Sequence, residues 1–212
     1  MIRQWSHPGA QLLHRHPFPA QVDDETQGLI LGTFPGKQFT DPRQPVNDDD
    51  WYYSSTGNRL WELLFYALDQ PYRVSSNKQA KQNLLKQHRL GISDIVEQAY
   101  RIRNSNQDNN LYVQAVRCLD VLLEQAPQLT RLYLTSKSMY KEFFLPAYFG
   151  VGQPLPQKVD RVSVDGLCSA EVYRFRHGDG RQMELVLLPS PARMLVGFEA
   201  MKALWRQVFT GR

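Results

Sequence analysis

Short apolar stretches alternate along this chain with segments in which apolar residues recur at helical spacing. Residues 29–31 and 132–134 are two such stretches, and both are followed by turn-forming residues. Segments 162–164, 170–175 and 182–188 have the same character near the end of the chain. Brief apolar runs bounded by turn residues are typical of buried strands. The pattern therefore predicts a largely buried β-sheet.

Helical periodicity fills much of the chain between these strands. Apolar residues lie three or four positions apart after Asn58 and again in 193–209, and residues 77–88 form a helical segment with an exposed basic face. The apolar spacing in 108–126 predicts one long helix that Asp108 caps. Strands that alternate with helices favour an α/β fold. We therefore expect a three-layer sandwich in which helices flank a central, mainly parallel β-sheet.

Residues 1–27 follow neither periodicity. They contain three of the five histidines, three prolines and an acidic trio. His14 and His16 suggest a metal site, but alternate spacing in a proline-rich segment fixes no ligand geometry, so we favour solvated side chains. We expect an N-terminal arm on the surface over 1–27, followed by a single α/β domain over 28–212.

Composition changes this picture only slightly. The chain has 212 residues, and its 25 Lys and Arg against 21 Asp and Glu give a net charge of +4, which permits a polyanionic partner without requiring one. Two cysteines are too few for a four-thiolate cluster and do not suggest a disulfide framework. No apolar run reaches the roughly 18 residues of a membrane span. We expect a soluble, cytoplasmic monomer that does not act at a membrane.

The most suggestive chemistry lies between residues 28 and 61. Gly32-Thr33-Phe34-Pro35-Gly36 places a glycine turn directly after a strand, and Trp51-Tyr52-Tyr53 precedes Asn58 and Trp61. Backbone amides in such a turn, aromatic faces and one amide side chain suit a flat ring that forms hydrogen bonds. Two simpler interpretations stay open: the aromatic residues belong to the core, and Asn58 is only a helix N-cap. The acidic run 47–50 is interpreted as a solvated turn, so no metal site is expected.

Five motifs in a fixed order resemble those of the uracil-DNA glycosylase superfamily, nearest to its hypoxanthine-DNA glycosylase and mismatch-specific branches. They are Gly32 to Gly36, Tyr52-Tyr53 with Asn58 and Trp61, Gly91-Ile92-Ser93-Asp94, Leu132 to Thr135 with Ser136-Lys137, and Leu188-Pro189-Ser190-Pro191-Ala192. The resemblance covers about residues 28–210. It implies an enzyme that swings a deaminated base, uracil or hypoxanthine, out of DNA and hydrolyses its N-glycosidic bond during base excision repair.

The same resemblance implies roles for particular residues. Phe34 would stack on the flipped base, and Tyr53 would lie beside it. Asn58 would orient the attacking water or bind the base, because an oxocarbenium-like transition state needs a positioned water more than a strong base. Asp94 is the only carboxylate in these motifs and is a second candidate, as general base or as a group that binds the base edge. The base-binding turn consists of Gly32, Thr33, Phe34, Pro35 and Gly36.

Further residues would bind the DNA backbone and fill the gap that the base leaves. The resemblance places the intruding loop at Pro189, Ser190 and Pro191, with Arg193 or Met194 as the wedge. Ser136, Lys137 and Ser190 would contact phosphates. No lysine lies in the pocket motifs, so we expect a monofunctional glycosylase without an AP-lyase step and without a cofactor.

Two positions depart from the family pattern. Ser55-Thr56 stand where hypoxanthine-type members tend to have a His-Pro pair, and Leu188 stands where many members have histidine. Two other functions therefore stay open: an inactive relative that only binds DNA, and an unrelated α/β hydrolase of nucleosides. Individual residues also have simpler explanations, because Asp94 could cap a helix, Ser190 could belong to an ordinary turn, and Arg101 could lie in a solvated loop.

Overall fold

The computed structural model describes residues 12–73, 77–102, 105–192 and 197–211. The strands are β1 (Leu13–Arg15), β2 (Gly28–Gly32), β3 (Leu90–Asp94), β4 (Val96–Arg101), β5 (Leu111–Val116), β6 (Arg131–Leu134), β7 (Gln157–Val164), β8 (Cys168–Arg176) and β9 (Gln182–Leu187). The helices are α1 (Lys37–Thr40), α2 (Leu60–Ala67), α3 (Lys78–Gln87), α4 (Leu119–Gln125), α5 (Lys137–Met139), α6 (Leu145–Tyr148) and α7 (Phe198–Thr210), with a π-helical turn at Tyr140–Phe144.

Six strands form one mixed sheet in the order β3-β2-β6-β9-β8-β7. The first four strands of this order are parallel, whereas β8 and β7 are antiparallel to their neighbours. A turn that begins at His177 reverses the chain between β8 and β9, which form an antiparallel hairpin. The α/β fold is confirmed, and its sheet is mixed.

Strands β1, β4 and β5 form a second sheet, which is antiparallel. The predicted long helix over 108–126 is wrong: Asp108–Asn110 is a single 3-10 turn, residues 111–116 pair with β4, and only Leu119–Gln125 is α-helical. The apolar residues at 111, 113 and 115 also satisfy the two-residue period of a strand, so the long-range pairing with β4 decides the structure. The predicted surface arm is also wrong for its described part, because β1 pairs with β4 and the ring of Phe18 is buried.

Apolar side chains pack on both faces of the six-stranded sheet. In β2, Ile30 contributes to the cluster that contains α2, α3 and α7, while Leu29 and Leu31 contribute to the cluster that contains α4 and the 139–145 segment. A parallel strand covered on both faces needs apolar residues at every position, and β2 is buried throughout. None of the helices in the described ranges has both the length and the apolar character needed to cross a lipid bilayer.

Candidate active site

The carboxyl ends of the parallel strands bring the predicted motifs together. Gly32, Asp94 and Leu134 end β2, β3 and β6, and Leu188 follows β9. The chain leaves β3 across the end of β2, because the amides of residues 95 and 96 donate to the carbonyls of Gly32 (2.8 Å) and Thr33 (2.9 Å). In α/β proteins this edge is where ligands bind, since the strand-to-helix connections open there.

Gly32 is closely approached by two functional groups. A Cβ atom at this position would collide with Asp94 Oδ1 and with the hydroxyl oxygen of Tyr53. Asp94 is the last residue of a strand and does not cap a helix, so that alternative is wrong. The Tyr53 hydroxyl also bonds to Thr135 Oγ1 at 3.0 Å, which joins the turn before α2 to the end of β6. Burial and the nearby charge of Asp94 raise the pKa of Tyr53 well above its usual value, so its hydroxyl keeps its proton at neutral pH.

His16 is the partner of Asp94. Its Nε2 lies 2.9 Å from Asp94 Oδ2, and only 1% of the histidine side chain is exposed. His14 is buried as well and bonds through Nδ1 to Thr40 Oγ1 at 2.9 Å. The prediction that these two histidines are solvated is therefore wrong, because the strand pairing of β1 draws this segment under the end of the sheet.

The aromatic residues divide between the core and the site. Tyr52 and Trp61 are core residues, as the simpler interpretation suggests, and the Trp61 indole donates to the Tyr52 carbonyl at 2.8 Å. Phe34 is half-buried, with its ring centroid 6.0 Å from that of His16. Tyr53 is also half-buried and has a positive φ of 56°. Phe34 and Tyr53 are thus the two half-buried aromatic residues of the motifs, and both lie at the carboxyl ends of the parallel strands.

Arg101 supports the turn that contains Phe34. The side chain is buried, donates to the carbonyls of Pro35 and Ser105, and has its Cζ 5.1 Å from the Phe34 ring centroid. The expectation of a solvated loop is wrong for Arg101. Burial lowers its pKa to about 10, although the charge of Asp108 opposes this shift, so the guanidinium stays charged at neutral pH.

Asp108 lies on the other side of the same turn. It does not cap a long helix as predicted, but accepts a hydrogen bond from Thr33 Oγ1 at 2.8 Å. Burial raises the pKa of this carboxyl, and the Thr33 hydrogen bond acts in the opposite direction. Arg101 and Asp108 therefore hold the Gly32 to Gly36 turn from the β4 and β5 side of the molecule.

Asn58 precedes α2 and takes part in its capping. Its Oδ1 accepts from the Leu60 amide at 3.0 Å, and the described part of the chain offers no partner to its Nδ2. The N-cap position of α2 belongs to Arg59 and not to Asn58, although Asn58 Oδ1 accepts from the first amide of the helix. The amide donor of Asn58 is available. The next residue, Arg59, donates its backbone amide to the Pro191 carbonyl at 3.2 Å. This bond joins the Asn58 turn to the loop after β9.

The predicted DNA contacts lie at the same sheet edge where they are described. Ser190 Oγ accepts from the Ala192 amide at 3.3 Å, which is the ordinary turn interaction that the simpler interpretation expects. Ser136 Oγ bonds to Ser138 Oγ at 2.7 Å, and the exposed Lys137 is 3.5 Å from Glu171 Oε1. Arg193 and Met194 lie outside the described residues.

A cavity of about 560 Å³ lies at the opposite edge of the sheet. Its lining includes the first residue of β2, Arg89 before β3, Arg131 in β6 and Glu184 in β9. None of the predicted site residues lines it. Within the described ranges, no group of three or more His, Cys, Asp or Glu side chains could hold a metal ion.

The fold and the site define an α/β protein whose polar residues converge at the carboxyl ends of parallel strands. No protein-family model matches the chain. A hypoxanthine DNA glycosylase of Methanosarcina barkeri is 26% identical over 125 residues, which are 59% of this chain and 73% of that protein. A hypoxanthine DNA glycosylase of Methanosarcina acetivorans is 28% identical over 112 residues, which are 53% of this chain and 65% of that protein.

One solved structure is similar over almost the whole chain. It is the solution NMR structure of a candidate uracil DNA glycosylase from Methanosarcina acetivorans, with a TM-score of 0.59 and 20% identity over 94% of this chain and 98% of that one. At 20% identity, this likeness shows that the two chains share a fold. Together with the two relatives, it confirms the predicted resemblance to the uracil-DNA glycosylase superfamily and to its hypoxanthine-DNA glycosylases.

Proposed function

We propose that the chain is a DNA glycosylase that flips a deaminated base, uracil or hypoxanthine, out of DNA and hydrolyses its N-glycosidic bond. The observation that carries this proposal is the convergence of all five motifs at one sheet edge, in a chain similar to two hypoxanthine DNA glycosylases. A flipped base needs a stacking surface and fixed polar groups around its edge. Phe34, the turn amides, Tyr53 and Asp94 provide these groups.

Hydrolysis of the glycosidic bond leaves positive charge on the sugar and negative charge on the departing base. The backbone amides of Thr33, Phe34 and Gly36 and Nδ2 of Asn58 are donors that would stabilise this base. Asn58 Oδ1 keeps one lone pair beside its capping bond, so the same side chain can also orient a water molecule toward C1′. Asp94 Oδ1 is the acceptor of the site and would bind an N–H on the base edge.

DNA would lie across the carboxyl edge of the sheet. We assign Pro189, Ser190 and Pro191 to the loop that enters the duplex, and Arg193 or Met194 to the wedge. Ser136, Lys137 and Ser190 would contact phosphates, with Lys137 exchanging Glu171 for a phosphate at little cost because this ion pair is exposed.

Several finer features belong to the same proposal. No lysine lies among the pocket motifs, and a Schiff-base lyase step requires an amine beside C1′, so the enzyme would be monofunctional and free of cofactors. The chain would act as a cytoplasmic monomer, and its single α/β domain would include β1 as well as residues 28–212. Its fold would be the three-layer type of the superfamily, in which the four parallel strands form the functional part of the sheet.

The first test is base release from labelled oligonucleotides that contain uracil, hypoxanthine, xanthine or a G·T mismatch, as single and double strands. Asn58→Ala removes both functions of the side chain, whereas Asn58→Asp keeps the acceptor for the Leu60 amide and removes only the Nδ2 donor. We expect both variants to lower the single-turnover rate about 100-fold, as for loss of a transition-state donor. Phe34→Ala should weaken binding of damaged DNA.

Asn83→Ala is the matched control, because this exposed asparagine on α3 only accepts a bond from Gln79. Equal rates for the Asn58 and Asn83 variants would contradict the catalytic role of Asn58. Salt-dependent DNA binding without release of any base would instead indicate a relative that kept the DNA surface and lost the reaction. Hydrolysis of free nucleosides without DNA binding would indicate the unrelated hydrolase.

A further inference from the structure

The hydrogen bonds of His16 define the tautomer of its neutral ring. The Phe18 amide donates to His16 Nδ1 at 3.1 Å, so Nδ1 is an acceptor and carries no proton. The proton of the neutral ring is therefore on Nε2, which lies 2.9 Å from Asp94 Oδ2. The backbone thus fixes the tautomer, and the tautomer makes His16 a donor to Asp94.

The surroundings of the ring prevent it from turning away. The ring centroid of His16 is 5.8 Å from Phe18, 6.0 Å from Phe34 and 5.3 Å from Tyr52. Phe18 is held in turn, since its carbonyl accepts from Arg117 Nη2 at 2.6 Å and from the Tyr52 hydroxyl at 3.2 Å. Rotation of the imidazole would break the bonds at both ring nitrogens without offering replacements.

The two oxygens of Asp94 consequently have different surroundings. His16 occupies Oδ2, while Oδ1 lies over Gly32 next to the Tyr53 hydroxyl. The Tyr53 hydroxyl is bonded to Thr135 Oγ1. If Tyr53 donates to Thr135, both Asp94 Oδ1 and the Tyr53 oxygen present acceptors to a ligand. If Thr135 donates, Tyr53 presents its proton beside the Asp94 acceptor.

We propose that His16 is a positioning residue that holds Asp94 with Oδ1 as a fixed acceptor, and that this acceptor selects bases whose ring nitrogen carries a hydrogen. This inference rests on the proposed function and specifies its substrate class. Deamination changes this nitrogen in both relevant cases: N1 of adenine is an acceptor and N1 of hypoxanthine is a donor, and the same holds for N3 of cytosine and uracil. A carboxylate oxygen binds the donor and repels the acceptor.

The test compares His16→Met, His16→Gln and His14→Met. His16→Met removes the hydrogen-bond donor to Asp94 and puts an apolar side chain of similar length in its place. His16→Gln returns an N–H near the position of Nε2. The third removes another buried histidine from the same segment, whose partner is Thr40. The Tm of each variant reports on its stability.

Two readouts separate positioning from simple structural support. The first is the single-turnover excision rate together with the Kd for DNA that contains an abasic site. The second is the ratio of affinities for duplexes with 2′-fluoro-deoxyinosine, which resists hydrolysis, and with deoxyadenosine. For His16→Met we expect the excision rate and the affinity ratio each to fall about 10- to 100-fold, because the variant loses a hydrogen bond to a charged group. The Kd for abasic DNA should not change. His16→Gln should recover most of both losses, and His14→Met should resemble the wild-type chain.

The inference would be overturned if His16→Met and His14→Met lost the excision rate and the affinity ratio to the same extent. It would also be overturned if His16→Met kept the affinity ratio of the wild-type chain. If the wild-type chain excises nothing, the proposed function fails, but the affinity ratio still decides the inference. A preference for inosine that depends on His16 would then support base selection without hydrolysis. The absence of any preference in the wild-type chain would overturn both.

Discussion

The two edges of the six-stranded sheet differ in how their polar groups are used. At the amino edge, the cavity is large, but its arginines Arg131 and Arg174 already share an ion-pair partner, because Glu184 lies 2.7 Å from the first and 3.7 Å from the second. At the carboxyl edge, Asp94 Oδ1 and the Tyr53 hydroxyl lie together over a glycine. If the proposed function holds, the comparison teaches that the volume of a cavity does not identify a site. Convergence of oriented polar groups on a position without a side chain is the better indicator.

The largest expected difference between the two edges is in the excision rate of variants at the two ends of β2. Gly32→Ala would push the new methyl group into Asp94 and Tyr53, and we expect excision to fall by at least about 100-fold because two residues of the proposed base-binding site are displaced. Gly28→Ala is the matched change at the amino end, where the methyl group would meet the side chains of Leu90 and Tyr133 at 2.9 Å. We expect this variant to lose about 1 to 3 kcal/mol of unfolding free energy and to keep its excision rate. Single-turnover rates and urea unfolding would measure both, and similar rates for the two variants would contradict the comparison.

A second test compares two arginines. Arg101→Met removes the donor to the Pro35 carbonyl and the counter-charge of the half-buried Asp108, so we expect a loss of about 3 kcal/mol in stability. Excision should fall about 10-fold, since the Phe34 turn loses its support. Arg131→Gln breaks a partly exposed ion pair with Glu184 and a side-chain hydrogen bond to Tyr133, and it should change stability by about 1 kcal/mol, with no change in rate. An Arg101 variant with normal excision would show that the turn does not need this support.

The smallest expected effect is a difference in how the free energy of unfolding depends on pH. The folded-state pKa of Asp108 is raised by burial, so the folded chain binds more protons than the unfolded chain between the ordinary carboxyl pKa and the raised value. Compared with Asp108→Asn, the stability of the wild-type chain should therefore fall as the pH rises through this window and stay constant above it. Unfolding by denaturant at a series of pH values measures the difference.

Asp179, in the turn before β9, should behave in the opposite way. A hydrogen bond from the Arg181 amide and other contacts lower its pKa. Compared with Asp179→Asn, the wild-type chain should lose stability as the pH falls through the ordinary carboxyl range, and the difference should be constant at neutral pH. The same sign of slope for both carboxyls would contradict their assigned environments.

Sequence patterns predicted the parts of the fold that depend on local chemistry. The glycine turn after β2, the helix after Asn58 and the terminal helix are each set by neighbouring residues, and the structure contains them. Residues 111–116 satisfy helical and strand periodicity equally well, so only their pairing with β4 decides between the two. Antiparallel strands β7 and β8 likewise make the sheet mixed in a way that periodicity does not encode.

Sequence patterns also fail to predict the long-range contacts of the candidate site. Motif order names Asp94, Asn58 and the turn as candidates, but it does not indicate His16 and Arg101, which contact Asp94 and the turn from elsewhere in the chain. His16 lies in a segment too short and too rich in proline to show a strand pattern, and Arg101 looks like any charged residue near a polar loop. Their partners are Asp94 and the Pro35 carbonyl, which are 78 and 66 positions away. No local signal in one sequence reports such contacts.

These long separations have a consequence for how the protein folds. The bonds that assemble the site join residues 78, 75 and 82 positions apart, for His16 with Asp94, Thr33 with Asp108 and Tyr53 with Thr135. Each such contact requires a large loop to close before it gains any energy, which slows folding. A growing chain therefore cannot complete the site until the loop after β9, whose Pro191 carbonyl accepts from the Arg59 amide, has been synthesised. In refolding experiments, base excision should return no earlier than the last phase of secondary structure formation, so activity serves as a measure of complete folding.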